Sequence, residues 1–250
     1  MTGWALDLDG VIWRGTETIP GSPEAVAALR RAGVPIAFVT NSAQRTPSQV
    51  AAKLASHGIP DALDEVITAA MAAATMVERG DRVLAVGSDG VREALIEVGA
   101  ELVDHGRVDA VVMGIDLQFS YDTMTQAMRA IDAGARFIAT NTDATFPAAD
   151  GVVPGNGALV ASVATATGRQ PEVAGKPHEP IAALVRDCLG SDGLMVGDRP
   201  ETDGLFARSV GYRFGLVFSG VTRPDDLPVD PAPERTAADL ATMVRDALTA

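Results

Sequence analysis

Short apolar runs that each stop at a turn, separated by stretches of helical periodicity, recur along this chain and constrain its fold more than any other feature. Trp4-Ala-Leu-Asp-Leu halts at Asp9-Gly10, a helical stretch over 23–32 follows, and Val34-Pro-Ile-Ala-Phe-Val-Thr repeats the pattern. The rhythm continues with helices over 47–57 and 69–79 and strands over 82–86 and 110–113, then a helix over 121–133 and a strand over 137–140. A helix over 157–167, strands over 193–196 and 212–217, an exposed Pro- and Asp-rich loop over 222–234 and a last helix over 237–248 complete it. Strands that are apolar throughout, instead of alternating with polar residues, are covered on both faces, so the pattern predicts an α/β fold of parallel sheets between layers of helix.

At 250 residues the chain accommodates one large domain or two unequal ones. No Gly/Ser linker marks a boundary, but Phe38-Val-Thr-Asn and Ile138-Ala-Thr-Asn each end a strand in the same way and point to two sheets of similar construction. A hydrophobic share of 47% against 21% charged residues sets aside a disordered or fibrous chain.

The formal net charge of -13 repels polyphosphate and anionic headgroups, so neither nucleic acid nor a membrane surface is an expected partner. No run is long enough to span a bilayer, and the first residues lack the charged, apolar and small-residue pattern of a signal peptide, so a cytoplasmic location is expected. The single Cys188 excludes an internal disulfide and is expected as a buried structural thiol on a helix beginning near Ile181.

Asp7 and Asp9 lie where an apolar strand gives way to Gly10, at the carboxyl edge of a parallel sheet, where open α/β sheets bind ligands. Burying ionised groups costs several kcal/mol unless they are paired or hold a cation, which makes a metal site the economical explanation; a strand end with a turn-forming Asp-Gly is the alternative. Asp198 and Asp203, in Met195-Val-Gly-Asp-Arg-Pro-Glu-Thr-Asp, follow another apolar strand. Hard oxygen donors from separate strand ends suit Mg²⁺, while a helix N-cap segment also accounts for this stretch alone. Thr40 and Asn41 end a third strand, with a hydroxyl, an amide and backbone N–H groups able to hold phosphate oxygens, or to cap a helix. Lys176, fixed between Gly175 and Pro177, offers a cation at a defined turn, an ordinary surface lysine being the alternative. Together these segments provide a nucleophile, a proton donor, a metal cage, neutral phosphate donors and a positive charge, the parts that phosphoryl transfer requires.

On these residues the chain resembles the haloacid-dehalogenase-superfamily phosphatases of subclass IIA, the NagD-like group of nitrophenyl, pyridoxal phosphate, phosphoglycolate and glycerol-phosphate phosphatases. The matching motifs are Asp7-Leu-Asp-Gly-Val, Val39-Thr-Asn-Ser, Gly175-Lys-Pro and Gly197-Asp-Arg-Pro-Glu-Thr-Asp, in the family's order and over essentially the full length. Ala139-Thr-Asn-Thr-Asp, Pro154-Gly-Asn-Gly-Ala and Thr165-Ala-Thr-Gly-Arg resemble the family's cap segments. The resemblance implies a Rossmann-like catalytic core over 1–79 and 175–250 with a smaller inserted α/β cap domain over 80–174. It also implies that Asp7 is nucleophile and metal ligand, that Asp9 is acid and base with its backbone carbonyl on Mg²⁺, and that Asp198 is the third protein ligand. Asp203 would support the metal's water shell or the lysine, and Thr40, Asn41 and Lys176 would bind phosphate.

The implied activity is hydrolysis of phosphomonoesters of small metabolites, such as sugar phosphates, glycerol phosphate, phosphoglycolate or nitrophenyl phosphate, through an aspartyl-phosphate; a homodimer formed through the cap is the expectation by family analogy. Phe146 stands where pyridoxal phosphate phosphatases carry histidine, which counts against a pyridoxal-like substrate. Another Asp-based phosphoryl transferase, or a catalytically weak sensor of phosphorylated metabolites, are the competing readings. Asn141 and Asp143 are expected to fix a cap turn or shape specificity, and Gly87-Ser-Asp-Gly to be a plain turn. His57 and His105 lack zinc-site partners; His178 is read as a helix start near Lys176, and Trp13 and Arg14 as part of a loop following the first motif, with Arg14 a candidate for attracting phosphate.

Overall fold

The computed structural model describes residues 2–148 and 151–249. The chain divides into two compact units, one made of Met1–Thr40, Ser48–Ile67 and Lys176–Ala250, the other of Asn41–Pro47 and Thr68–Gly175. Residues 68–79, expected with the core, group with the second unit, where the alanine-rich helix Ala69–Ala74 packs on helix Asp89–Glu97.

In the first unit the sheet order is Arg235–Ala237, Arg213–Val217, Gly193–Gly197, Gly3–Leu6, Ile36–Thr40 and Val66–Thr68. Gly3–Leu6 pairs in parallel with a strand on each side, Leu6 lying level with Val196 and with Phe38. The chain leaves Gly3–Leu6 towards Ile36–Thr40 and returns on its other flank through Gly193–Gly197, so the crevice at the carboxyl ends of these strands is a topological switch point. Leu6, Phe38, Leu29 and Leu54 are each 0% exposed in the core, and each buried side chain contributes about 1.5–3 kcal/mol. Helix Ser22–Arg31 shows how the sequence sets these covers: Pro23 and Glu24 open it, Arg30 and Arg31 close it with the dipole, and Ala25, Val26 and Leu29 fall on one buried face.

The second unit carries a parallel sheet in the order Glu172–Val173, Arg136–Ala139, Ala110–Met113, Arg82–Val86 and Glu101–Leu102. Val86, Val111, Met113, Ile131, Phe137 and Val163 fill a core of its own. An antiparallel hairpin, Thr145–Ala148 with Gly151–Pro154, sets Phe146 opposite Val153.

Several local expectations change. The helix expected over 69–79 ends at Ala74, because the Thr75 hydroxyl bonds back to the Ala72 carbonyl and the next amides, of Met76 and Val77, tighten to Ala73 and Ala74. Gly87-Ser-Asp-Gly is not a plain turn but the entry to helix Asp89–Glu97, where a Cβ on Gly90 would stand 2.4 Å from the Arg45 carbonyl oxygen. Ala237 belongs to an edge strand paired with Val217, and the last helix is Leu240–Thr249. Cys188 is exposed: helix Glu179–Leu189 buries Ile181, Ala182 and Val185, and its last turn, with Asp187 and Cys188, lies in solvent. Among the described residues, no helix is long and apolar enough to cross a membrane.

Candidate active site

The register of the first sheet brings the acidic strand ends together. The Asp7 amide extends the ladder by donating to the Val196 carbonyl at 2.9 Å, which places Asp7 level with Gly197 and one residue short of Asp198. Asp203 is returned to this edge by the turn Pro200–Gly204, whose Asp203 amide bonds the Arg199 carbonyl at 2.7 Å. Among the described residues, Asp7, Asp198 and Asp203 form a group whose nearest carboxylate oxygens lie within 4.8 Å of one another.

Lys176 sits among them, its side chain 2% exposed, donating from Nζ to Asp7 Oδ1 at 2.6 Å and to Asp203 Oδ1 at 2.7 Å. The other oxygen of Asp203 accepts the Asp198 and Arg199 amides, both at 3.1 Å, so this carboxylate ties the lysine to the loop that carries Asp198. Space for the acids comes from glycines. A Cβ on Gly197 would fall 2.2 Å from Asp203 Cγ, while Cβ atoms on Gly10 and Gly220 would fall 2.5 and 1.9 Å from Asp198 Oδ2. Gly10 also takes a φ of 82°, open to glycine at little cost.

One ammonium does not neutralise three clustered carboxylates, two of them buried. Burial pushes Asp7 well above the usual carboxylate range, Asp203 and Asp198 add to the rise, and the Lys176 charge and hydrogen bond only partly oppose it. Asp198 is pushed up to about 6 by burial and by Asp203, against the Val221 amide, Arg199 and Lys176. Burial would lower Lys176, but Asp203 and Asp7 overcome that and raise it above the ordinary lysine value. Burial leads the rise at Asp7, and the neighbouring acids add to it and also raise Lys176; three carboxylates around one ammonium leave net negative charge, which a hard cation bound by oxygen donors would relieve.

The other predicted residues are placed as follows. Asp9 is exposed, its Oδ1 accepting the indole N–H of Trp13 at 2.9 Å, and its side chain stands outside the three-carboxylate group. Thr40 ends strand Ile36–Thr40 in the first unit and is 3% exposed. Asn41 belongs to the second unit, where its amide donates to Asp143 Oδ2 at 3.2 Å and its carbonyl accepts from Asn141 Nδ2 at 2.8 Å. Asn141 Oδ1 accepts the Asp143 amide at 3.1 Å, so both fix the turn before the hairpin. Phe146 is half-buried, His105 exposed, and His178 exposed at the start of helix Glu179–Leu189. Arg14 is exposed and its Nε donates to the Ser219 carbonyl.

Sequence reasoning missed the segment 219–222. The Val221 amide donates to Asp198 Oδ2 at 2.6 Å, the Thr222 hydroxyl to the Asp198 carbonyl at 2.6 Å and the Ser219 hydroxyl to the Gly10 carbonyl at 2.7 Å, fastening both acidic loops. Its signal was an apolar strand, Arg213–Val217, running into Phe-Ser-Gly-Val-Thr at the same sheet edge.

The chain is similar to known proteins in sequence and fold. Residues 4–101 match the family model described as haloacid dehalogenase-like hydrolase, and residues 173–243 match a second, related model of HAD-hydrolase-like proteins. The chain is 39% identical over 234 residues to the 5'-nucleotidase YutF of Bacillus subtilis, covering 91% of each. It is 37% identical over 231 residues to an acid sugar phosphatase of Staphylococcus haemolyticus, covering 90% of this chain and 88% of the relative. Among solved structures, the glycerol phosphate phosphatase of Mycobacterium tuberculosis in complex with calcium superposes with a TM-score of 0.91 at 33% identity, over 97% of this chain and 74% of that one. The same phosphatase has also been solved in complex with magnesium.

Proposed function

We propose that this chain, which belongs to the haloacid dehalogenase-like hydrolases and is a phosphoric monoester hydrolase of that family, releases phosphate from small phosphorylated metabolites with Mg²⁺ and an aspartyl-phosphate intermediate. The observation that carries the reading is the Asp7 carboxylate, 13% exposed, held 2.6 Å from Lys176 and flanked by the buried Asp198 and Asp203. The donor set is all oxygen and over-negative, which suits a hard divalent cation; Asp7, the Asp9 backbone carbonyl and Asp198 would hold it. When bound, Mg²⁺ screens the repulsion between a carboxylate nucleophile and an anionic phosphate.

In the first half-reaction an Asp7 oxygen attacks phosphorus in line. The ester P–O bond breaks, its electron pair goes to the leaving oxygen, and that oxygen takes the Asp9 proton. In the second, Asp9 as carboxylate takes a proton from water, the water oxygen attacks phosphorus, and the bond to Asp7 breaks to give inorganic phosphate and the free carboxylate. Lys176 holds Asp7 in line and carries positive charge next to the phosphoryl group, and Asp203 keeps the lysine in place. Thr40 and Asn41 supply phosphate donors on the strength of their motif, and the segment 80–174 acts as the cap that selects the alcohol.

The test is phosphate release from nitrophenyl phosphate, sugar phosphates, glycerol phosphate, phosphoglycolate and nucleotides, with Mg²⁺ and after chelation. Activity is expected to vanish in chelator and to return with Mg²⁺. Asp7→Asn retaining wild-type turnover would overturn the mechanism.

A further inference from the structure

Trp13 has no part in the scheme above, yet its surroundings are built with care. The residue is 3% exposed, and the one polar group of the indole, a donor only, is committed to Asp9 Oδ1 at 2.9 Å. The backbone reinforces the pair: the Gly10 amide donates to the Trp13 carbonyl at 2.7 Å, and Asp9 and Trp13 form an isolated β-bridge. Trp13 opens a small hairpin, Trp13–Arg14 with Glu17–Thr18, in which Thr18 lies opposite it.

The ring itself is gripped from helix Pro47–Ser56 and the turn after it. The His57 imidazole stacks on the indole with centroids 5.0 Å apart and planes at 30°, and its Nδ1 lies 2.6 Å from the Thr18 hydroxyl. Lys53, four residues earlier and therefore on the same helical face, sets its Nζ 3.8 Å from the indole centroid. An ammonium against the π-cloud attracts the ring and leaves its N–H more positive, which strengthens the bond to a carboxylate. Burial and the Lys53 charge both depress the His57 pKa.

An exposed aspartate is otherwise free to rotate, and a proton donor that rotates is misplaced for most of its time. We infer that Trp13 is a positioning residue for Asp9: its indole N–H fixes Oδ1 and leaves Oδ2 as the oxygen that gives and takes the proton, with Lys53, His57 and Thr18 locking the ring. This rests on the reading of Asp9 as general acid.

The dependence on leaving group separates this role from a structural one. A nitrophenolate departs with little help from an acid, whereas a benzyl alkoxide needs its proton in the transition state; kcat/KM reports that first half-reaction for both. Trp13→Phe keeps an aromatic ring for His57 and Lys53 but removes the N–H. It is expected to lower kcat/KM for benzyl phosphate by about tenfold or more while para-nitrophenyl phosphate loses less than about threefold, and Asp9→Asn is expected to show the same asymmetry more strongly. Retained nitrophenyl phosphate activity reports a folded enzyme. If Trp13→Phe does not fold, benzothienylalanine at position 13, which puts sulfur where the N–H was at nearly the same volume, makes the same comparison.

Equal losses on the two substrates, or no loss on benzyl phosphate, overturn the positioning role. An Asp9→Asn variant that loses equally on both overturns the general-acid reading itself, and the inference falls with it; asymmetry in Asp9→Asn but not at position 13 removes Trp13 alone.

Discussion

The two units each present a parallel sheet whose central strands end in short polar loops, and the loops are equipped differently. In the first, Gly3–Leu6 and Gly193–Gly197 run into Asp7 and Asp198, which meet Asp203 around one lysine. In the second, Ala110–Met113 and Arg136–Ala139 run into Gly114 and Thr140-Asn141, joined by the 3%-exposed Asn156, whose amide donates to the Met113 carbonyl at 3.2 Å and the Asn141 carbonyl at 2.8 Å. Asn156 Oδ1 has no hydrogen-bond partner among the described residues. A neutral amide ties loops together at any pH and asks nothing of solution conditions. A cluster of carboxylates in the same kind of place is under electrostatic stress, and its stability is tied to proton and cation concentration. That contrast separates an edge built for cohesion from one that carries unrelieved charge.

The sharpest break of the comparison is to remove charge from the first edge. Asp7→Asn should lower phosphate release by about a thousandfold or more, since the proposed nucleophile is lost, while its thermal midpoint stays within about 4 °C of wild type because one member of a crowded anionic group has gone. A large activity loss with a collapsed melting curve would mean that Asp7 serves the fold instead.

Acidity should act on the first edge next. With its pKa raised from 3.8 to about 6, Asp198 binds its proton more tightly folded than unfolded. Its ionisation therefore removes stability from the metal-free protein as pH rises from the ordinary carboxylate value towards 6, and Mg²⁺ should restore it. Below about pH 6 the proton competes with the cation, so Mg²⁺ affinity measured by calorimetry should fall by about tenfold per pH unit for each proton displaced. An affinity that is flat between pH 5 and 7, values that bracket the raised pKa of about 6, would count against Asp198 as ligand.

Smaller effects come from packing. Gly220→Ala places a methyl in the volume of the Asp198 carboxylate and should cost about 1–3 kcal/mol in urea unfolding, together with weaker Mg²⁺ binding. Asn156→Ala should cost about 1–2 kcal/mol and leave Mg²⁺ affinity unchanged; an equal fall in affinity would erase the distinction between the two edges.

What was legible from residue order follows the same physics. Asp7, Asp9, Asp198 and Lys176 stood out because an acid at the end of an apolar strand, or a lysine between Gly and Pro, is anomalous without a partner. The alternating strands and helices were visible because their periods repeat over many residues, whereas Glu101–Leu102 and Glu172–Val173 are too short for a period and exist through their neighbours' ladders. Val221 supports Asp198 with a backbone N–H, which every non-proline residue possesses and none displays. Trp13 read as part of a loop after the first motif, because the partner of its indole is set by the fold and not by residue order, and Cys188 depended on how far its helix outruns the core.

The pair Gly10 and Gly220, pressed against the Asp198 carboxylate, also bears on descent. Any missense change in a glycine codon adds at least a β-carbon, so mutation at either position intrudes on the aspartate, while Asp198 can itself be lost and regained by reversible base changes. A lineage that gave up phosphate chemistry would stop selecting for that empty volume. Once both glycines had drifted, restoring the aspartate would no longer restore the enzyme.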